Sequence, residues 1–196
     1  MADLSQHPRR AQILNVSAEI FSSQGYRMAT LDDVAEEMGF TRAAVYYYFK
    51  SKQEILVALF DQASESLSAQ LKKSLTTENG PREKLRSALY GHALVILEQP
   101  YVSKVFDTEM AELPREIQLR FLTKEKEYVD QVADVVQQGI DAGEFAHQPP
   151  RHAAQAMLGM ANSSTKWYRP RSATERTPSK VADMIVALCL DGLLVR

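Results

Sequence analysis

Residues 25–56 read GYRMATLDDVAEEMGFTRAAVYYYFKSKQEIL, and their punctuation decides the fold. Leu31, Val34, Ala35 and Met38 share one face at helical spacing, so Leu31–Met38 is a short helix. Thr30 stands before it with Asp33 three residues on, a capping box in which Asp replaces the usual Glu or Gln. Gly39 ends it. Thr41 is a good N-cap for a second short helix, Thr41 to about Tyr47, whose apolar marks are Val45, Tyr46 and Phe49. Ser51-Lys52-Gln53-Glu54 is a full S-x-x-E box. It opens a longer helix through Ile55, Leu56, Leu59 and Phe60 to about residue 74. Upstream, Ile13, Leu14, Ser17, Ala18 and Phe21 stripe a helix from about Arg9 to Gln24, with Gly25 as its stop.

Two short helices joined by Gly39-Phe40 make a helix-turn-helix, whose second helix enters a DNA major groove. Arg42 is the one long cation of that helix, and Arg makes bidentate contacts to guanine. Ala43 and Ala44 are small enough for close approach. Tyr46-Tyr47-Tyr48, followed by Lys50 and Lys52, supplies phenol donors and cations for phosphate. Tyr47 and Tyr48 lie on different faces, so one of them is expected to reach phosphate; Phe49 reads as core, and Tyr46 as part core, part contact. Ser51 and Lys52 sit at a helix N-terminus, which favours an anion. From Arg9 to Lys52, six basic residues stand against five acidic ones. One such head binds weakly, and two heads on two half-sites offset the deficit. The competing reading is a helical hairpin with a purely structural role.

The rest of the chain is also helical. Pro81 opens a helix to about Glu98, a shorter segment covers Tyr101–Glu112, and Leu113-Pro114 opens a long helix to about Ala142, stopped by Gly143. Arg151–Trp167 is amphipathic after Pro149-Pro150. The last helix starts at Thr177-Pro178 and is apolar around much of its circumference from Val181 to Val195. Such a helix is covered on more than one side, and a second subunit is the natural cover for one of them. About nine helices and no sustained strand pattern predict an all-α protein. The expected division is a DNA-binding domain over residues 7–52 and a roughly six-helix ligand-binding and dimerisation domain over 53–196.

Bulk properties narrow the classes. The chain has 196 residues, 45% of them hydrophobic, and a net charge of −2, which excludes a globally basic nucleic-acid coat protein. Its single cysteine, Cys189, excludes a disulfide framework. MADLSQHPRR lacks the apolar stretch of a secretory signal, and the longest apolar run near the C-terminus, Met184–Leu190, spans 7 residues where a membrane span needs about 20. A soluble, cytoplasmic protein without a membrane partner is expected. An α-helical enzyme or lipid-handling protein is the rival class. It needs a catalytic set, and no Ser/His/acid motif, Gly-rich phosphate loop or H-E-x-x-H occurs.

The run quoted above resembles the N-terminal module of TetR-type transcriptional repressors, over about residues 9–60. The matching positions are Ile13-Leu14, Phe21, Gly25-Tyr26, Thr30, Val34-Ala35, Gly39, Thr41, Val45-Tyr46, Tyr48-Phe49, Ser51-Lys52 and Leu56. Ala43 departs from the pattern, which usually has Gly there. The resemblance implies a homodimer that binds a palindromic operator on double-stranded DNA, pairs through its last two helices and is released by a small hydrophobic effector. It also implies a DNA-binding set of Arg27, Thr30, Thr41, Arg42, Ala43, Tyr46, Tyr47, Tyr48 and Lys52.

Gly139–Phe145 is similar to that family's turn into its penultimate helix. Trp167-Tyr168-Arg169-Pro170 resembles the variant in regulators answering to acyl-CoA thioesters. An acyl-CoA effector needs an apolar tunnel, for which Tyr90, Phe106, Met110, Phe121, Met157 and Met160 are the candidates. It also needs cations and an aromatic ring, for which Lys166, Trp167, Arg169 and Arg171 are the candidates. A non-CoA hydrophobic metabolite or drug is the alternative effector. The bland readings are core or interface packing for Trp167 and core filling for the methionines. His92 reads as a satisfied buried histidine, Lys124–Glu127 as a solvated face and Cys189 as a small buried hydrophobe. No cofactor, metal or catalytic residue is expected; His147 and His152 have no partner at metal-binding spacing.

Overall fold

The computed structural model describes residues 8–76, 79–169 and 177–191. Among these, every regular element is helical: α1 (Pro8–Gln24), α2 (Leu31–Glu37), α3 (Arg42–Tyr48), α4 (Lys52–Leu75), α5 (Pro81–Glu98), α6 (Pro100–Thr108), a 3-10 turn at Met110–Glu112, α7 (Arg115–Asp141), α8 (Pro150–Asn162), α9 (Ser164–Trp167) and α10 (Pro178–Asp191). The caps form where the sequence puts them. Thr30 Oγ1 accepts from the Asp33 amide at 3.1 Å while Asp33 accepts from the Thr30 amide at 2.8 Å. Thr41 accepts from the Ala44 amide at 3.3 Å. At the start of α4, Ser51 accepts from the Glu54 amide at 3.1 Å, but Glu54 reaches one residue further back than expected, to the Lys50 amide at 2.7 Å. The expected single helix over Arg151–Trp167 breaks at Ser163, whose hydroxyl donates to the Met160 carbonyl at 2.7 Å. Gly39, with φ +63°, makes the left-handed turn that lets α3 leave α2 within four residues. The expected apolar stretch beyond Asp191 lies outside the described residues.

The chain folds as two compact units. Of the described residues, the first takes those up to Ser64 together with Tyr101–Phe121; the second takes those of Glu65–Pro100 and those from Leu122 onward. The sequence-based division at 52/53 thus falls inside the first unit, because the start of α4, α6 and the start of α7 pack with α1–α3. That unit is built on buried Phe21, Phe49, Phe60 and Phe121. Phe60 stacks on Phe106 at 4.6 Å and packs tilted on Phe121 at 5.2 Å. Lys104 of α6 donates to the Ser22 carbonyl at 2.6 Å, and Arg120 meets Asp61 at 3.1 Å.

The second unit packs Leu85 and Leu89 of α5, Val132 and Val136 of α7, Met157 and Leu158 of α8, and Ile185 and Val186 of α10. A polar cluster sits inside it. His92 is 4% exposed and lies between Tyr128 and Asn162, at 2.9 Å from each. An amide oxygen can only accept, so Nε2–H donates to Asn162 Oδ1 and Nδ1 accepts from the Tyr128 hydroxyl. Burial pulls the imidazole down to about 4, against the favourable Asn162 bond, and pushes the Tyr128 phenol up.

This cluster fixes a pH dependence. The folded-state pKa of His92 lies below its unfolded value, so the unfolded chain takes up the proton first as pH falls below about 6.5. Its neutral form costs nothing above that pH, and stability falls as pH drops from about 6.5 to about 4. The loss attributable to His92 reaches about 3 kcal/mol at most. Urea unfolding monitored between pH 7 and 4.5 is expected to show this decline, with a shallower slope for His92→Gln.

Candidate nucleic-acid interface

Helix α3 has seven residues and two obligations. Val45 and Phe49 are fully buried and anchor it to Val34, Ala35 and the first unit's core. That leaves Thr41, Arg42, Ala43 and Tyr47 exposed, with Ala44, Tyr46 and Tyr48 half-buried. Tyr47 is 60% exposed and stands edge-on to Tyr48, ring centroids 5.1 Å apart. Of the two tyrosines, Tyr47 therefore presents its ring to solvent, while Tyr46 and Tyr48 pack against the core's edge.

Arg42 is pre-oriented. Its guanidinium donates to the Tyr46 hydroxyl at 3.2 Å and pairs with Asp32 of α2 at 3.1 Å. The Tyr46 hydrogen bond, then the Asp32 charge, raise its pKa, so it is a permanent cation held by two neighbours. Thr30 and Thr41 use their hydroxyl oxygens as caps, and each hydroxyl keeps a proton that can be donated outward. Lys50 lies at the end of α3 and donates to the Tyr46 carbonyl at 3.2 Å.

Two of the expected contact residues have partners within the chain. The Lys52 ammonium donates to the carbonyls of Tyr26, Arg27 and Ala29 at 2.7, 3.0 and 2.8 Å. Arg27 is exposed, yet its Nε donates to Glu112 at 2.8 Å, so the guanidinium is drawn toward the 3-10 turn. Sequence reading missed Asp32 as the partner of Arg42, and Glu112 as that of Arg27. Asp32 was visible as a charge, but which cation it faces is set by the angle between α2 and α3.

Residues 13–59 match the family model described as bacterial regulatory proteins, tetR family, and residues 78–193 match the one described as tetracyclin repressor-like, C-terminal domain. The chain belongs to the TetR family. It is a DNA-binding transcriptional regulator; its relatives and fold neighbours are regulators, not enzymes. A fatty acid metabolism regulator protein of Bacillus subtilis is 22% identical over 164 residues, covering 83% of this chain and 84% of its own. The ketosteroid regulator KstR2 of Mycobacterium tuberculosis superimposes with a TM-score of 0.89 at 22% identity, covering 97% of both chains. AibR, crystallised with isovaleryl coenzyme A and operator DNA, gives 0.79 at 23% identity, covering 92% of this chain and 97% of its own. At these identities the two structures establish the fold. No helix among the described residues is long and apolar enough to cross a membrane.

The candidate effector residues of this TetR-family chain divide between the units. Phe121 is buried in the aromatic core of the first, with Phe106 and Met110 at its edge. Met157 is buried in the second, with Tyr90 against it. Met160 is 40% exposed, its sulfur 3.7 Å from that of buried Cys189, whose thiol burial pushes up. Phe106, Met110 and Phe121 thus belong with the first unit's core, and Tyr90 and Met157 with the second's. Trp167 is 46% exposed, which places it outside the core, and its indole N–H lies 3.4 Å from the Ser163 hydroxyl. Lys166 is exposed, Arg169 donates to the Tyr168 carbonyl at 2.9 Å, and Arg171 lies outside the described residues.

Arg42 and Tyr47 are the two long side chains that α3 exposes to solvent. Arg42→Ala is expected to reduce discrimination at one guanine position of the selected site by roughly tenfold, while Tyr47→Ala weakens all sequences alike. Competition binding against a library of single-base variants separates the two.

Proposed function

We propose that this TetR-family regulator is a ligand-released repressor that binds a palindromic operator as a homodimer. The carrying observation is the outward face of α3, where Arg42 and Tyr47 are exposed above buried Val45 and Phe49. Beside it, Asp32 cancels much of the Arg42 charge, so a single head is a weak binder. Two heads joined in one molecule act at high effective concentration on half-sites about 34–36 Å apart.

The pairing surface we propose lies on α8 and α10. Gln155, Ala156, Gly159 and Met160 line the exposed side of α8; Met184, Ala187 and Leu188 line that of α10. Leu188 is 60% and Met184 47% exposed. A stripe of small and apolar residues on two neighbouring helices suits a four-helix contact, in which side chains of each pair fill the gaps of the other. Leu188→Glu is expected to yield monomers by light scattering and to cost at least a hundredfold in operator affinity. A dimer that persists with full affinity removes this face from consideration.

For the effector we propose an acyl-CoA thioester. Exposed Trp167 beside Lys166 and Arg169 offers a ring and cations to a nucleotide, and the apolar α5, α7 and α8 side chains offer contacts to an acyl chain. The coenzyme A complex of AibR and the name of the Bacillus relative lend support. The chain has one tryptophan, so its intrinsic fluorescence reports on this region. Long-chain and polycyclic acyl-CoAs are expected to quench it and to weaken operator binding tenfold or more, a coupling of about 1.4 kcal/mol. A flat response in both signals across a thioester panel redirects the search to hydrophobic effectors without CoA. Selection of duplexes from the neighbouring genome by the purified protein tests the repressor reading itself.

A further inference from the structure

The hydrogen bonds through His92 run from the interior of the second unit to its surface. Tyr128 of α7 donates to Nδ1, and Nε2–H donates to Asn162 Oδ1, each at 2.9 Å. His92 is buried, whereas Asn162, the last residue of α8, is exposed. The Asn162 amide therefore spans the edge of the core. Its oxygen is engaged from within, which sets the amide plane and turns both N–H bonds away from the imidazole. Those N–H bonds donate to no other described residue. Two residues on, Ser164 is fully buried, and its hydroxyl has no hydrogen-bond partner among the described residues. Ser164 opens α9, which packs on α5, the helix that carries His92. The break between α8 and α9 thus carries two kinds of donor without an acceptor, one of them where an unmade bond is costly.

We propose that Asn162 is a specificity-determining residue that donates to the thioester carbonyl of the effector, and that His92 is its positioning residue. The inference rests on the acyl-CoA reading above and deepens it. Place supports the assignment. Before Asn162, Met157, Leu158 and Ala161 face the apolar core; after it, Lys166, Trp167 and Arg169 are exposed. In an acyl-CoA the thioester carbonyl likewise stands between the apolar chain and the charged nucleotide end. Chemistry supports it too. An asparagine with both ends free serves donors and acceptors alike, but one whose oxygen is already bonded offers donors alone, and so selects a carbonyl. Fixing the amide on folding also removes its ordering cost from the binding step.

Hexadecanoyl-CoA and S-hexadecyl-CoA, the thioether in which a methylene replaces the carbonyl, separate this contact from all others. Titrated by Trp167 fluorescence, wild type is expected to bind the thioester more tightly by roughly tenfold or more, because a hydrogen-bonding site rejects an analogue without the acceptor. Asn162→Leu is expected to remove that discrimination by weakening the thioester while sparing the thioether, with operator affinity in the absence of effector unchanged. His92→Gln keeps a donor toward Asn162 and an acceptor toward Tyr128, and is expected to keep the discrimination. His92→Phe keeps neither and is expected to lose it, although Asn162 is still present. A purely structural role for His92 instead lowers the thermal midpoint and the affinity for both compounds together, leaving their ratio as in wild type.

The proposal is overturned if wild type binds the two compounds alike, or if Asn162→Leu or His92→Phe keeps the wild-type ratio. Hexadecanoate that binds as tightly as its thioester overturns the assignment to a thioester. A wild-type protein that binds neither CoA compound, with flat fluorescence and no rise in thermal midpoint, overturns the effector reading, and this inference with it.

Discussion

A seven-residue helix does not hold itself together in water, since the cost of nucleating it exceeds what two turns of hydrogen bonds return. The reading helix α3 exists because Val45 and Phe49 are sealed into the first unit's core and Thr41 caps its start. That constraint settles what the protein can show to a partner. With two positions committed inward and Tyr46 and Tyr48 resting on the core's rim, Arg42, Ala43 and Tyr47 are what α3 has to offer. The rest of the first unit follows from the same need. Phe60, Phe106 and Phe121 come from α4, α6 and α7, and they join the core on which α1 and the two short helices pack.

Local chemistry was legible in the sequence and distant chemistry was not. Thr30, Thr41 and Ser51 announced three helix starts, because a cap acts within three residues of itself. Gly25, Gly39 and Gly143 marked stops, and all three adopt the left-handed backbone that glycine permits. Lys52 shows the limit. Its neighbours in sequence suggest phosphate, but its partners lie more than twenty residues upstream, and nothing in the local pattern points to them. Arg27 and Glu112 are further apart still. The compact units differ from the expected domains for the same reason: α6 returns to the first unit after a long excursion. Phe106, Met110 and Phe121 lie in or beside the first unit's core, and in sequence an aromatic or methionine at helical spacing reads the same whether it faces a ligand or a core.

The second unit was legible as a helical body, less so as a binding site. His92 was recognisable as a satisfied histidine, yet its partners Tyr128 and Asn162 come from α7 and α8 and emerge only in three dimensions. The imidazole links three helices around one polar point in an apolar interior, where an unpaired group carries a heavy cost. The exposed side of α10 was visible in outline, because the apolar residues of that helix, Met184 and Leu188 among them, extend around more of its circumference than one core covers.

The near-neutral charge of the head has a consequence for the regulator's life in a cell. Random chromosomal DNA attracts proteins through their cations alone, and it outnumbers true sites by a factor of a million or more. A strongly basic head lingers on that background and must be made in many copies. Here Asp32 offsets part of the Arg42 charge, and α2 carries further acids at Asp33, Glu36 and Glu37, so the pull of random duplex on this head is weaker.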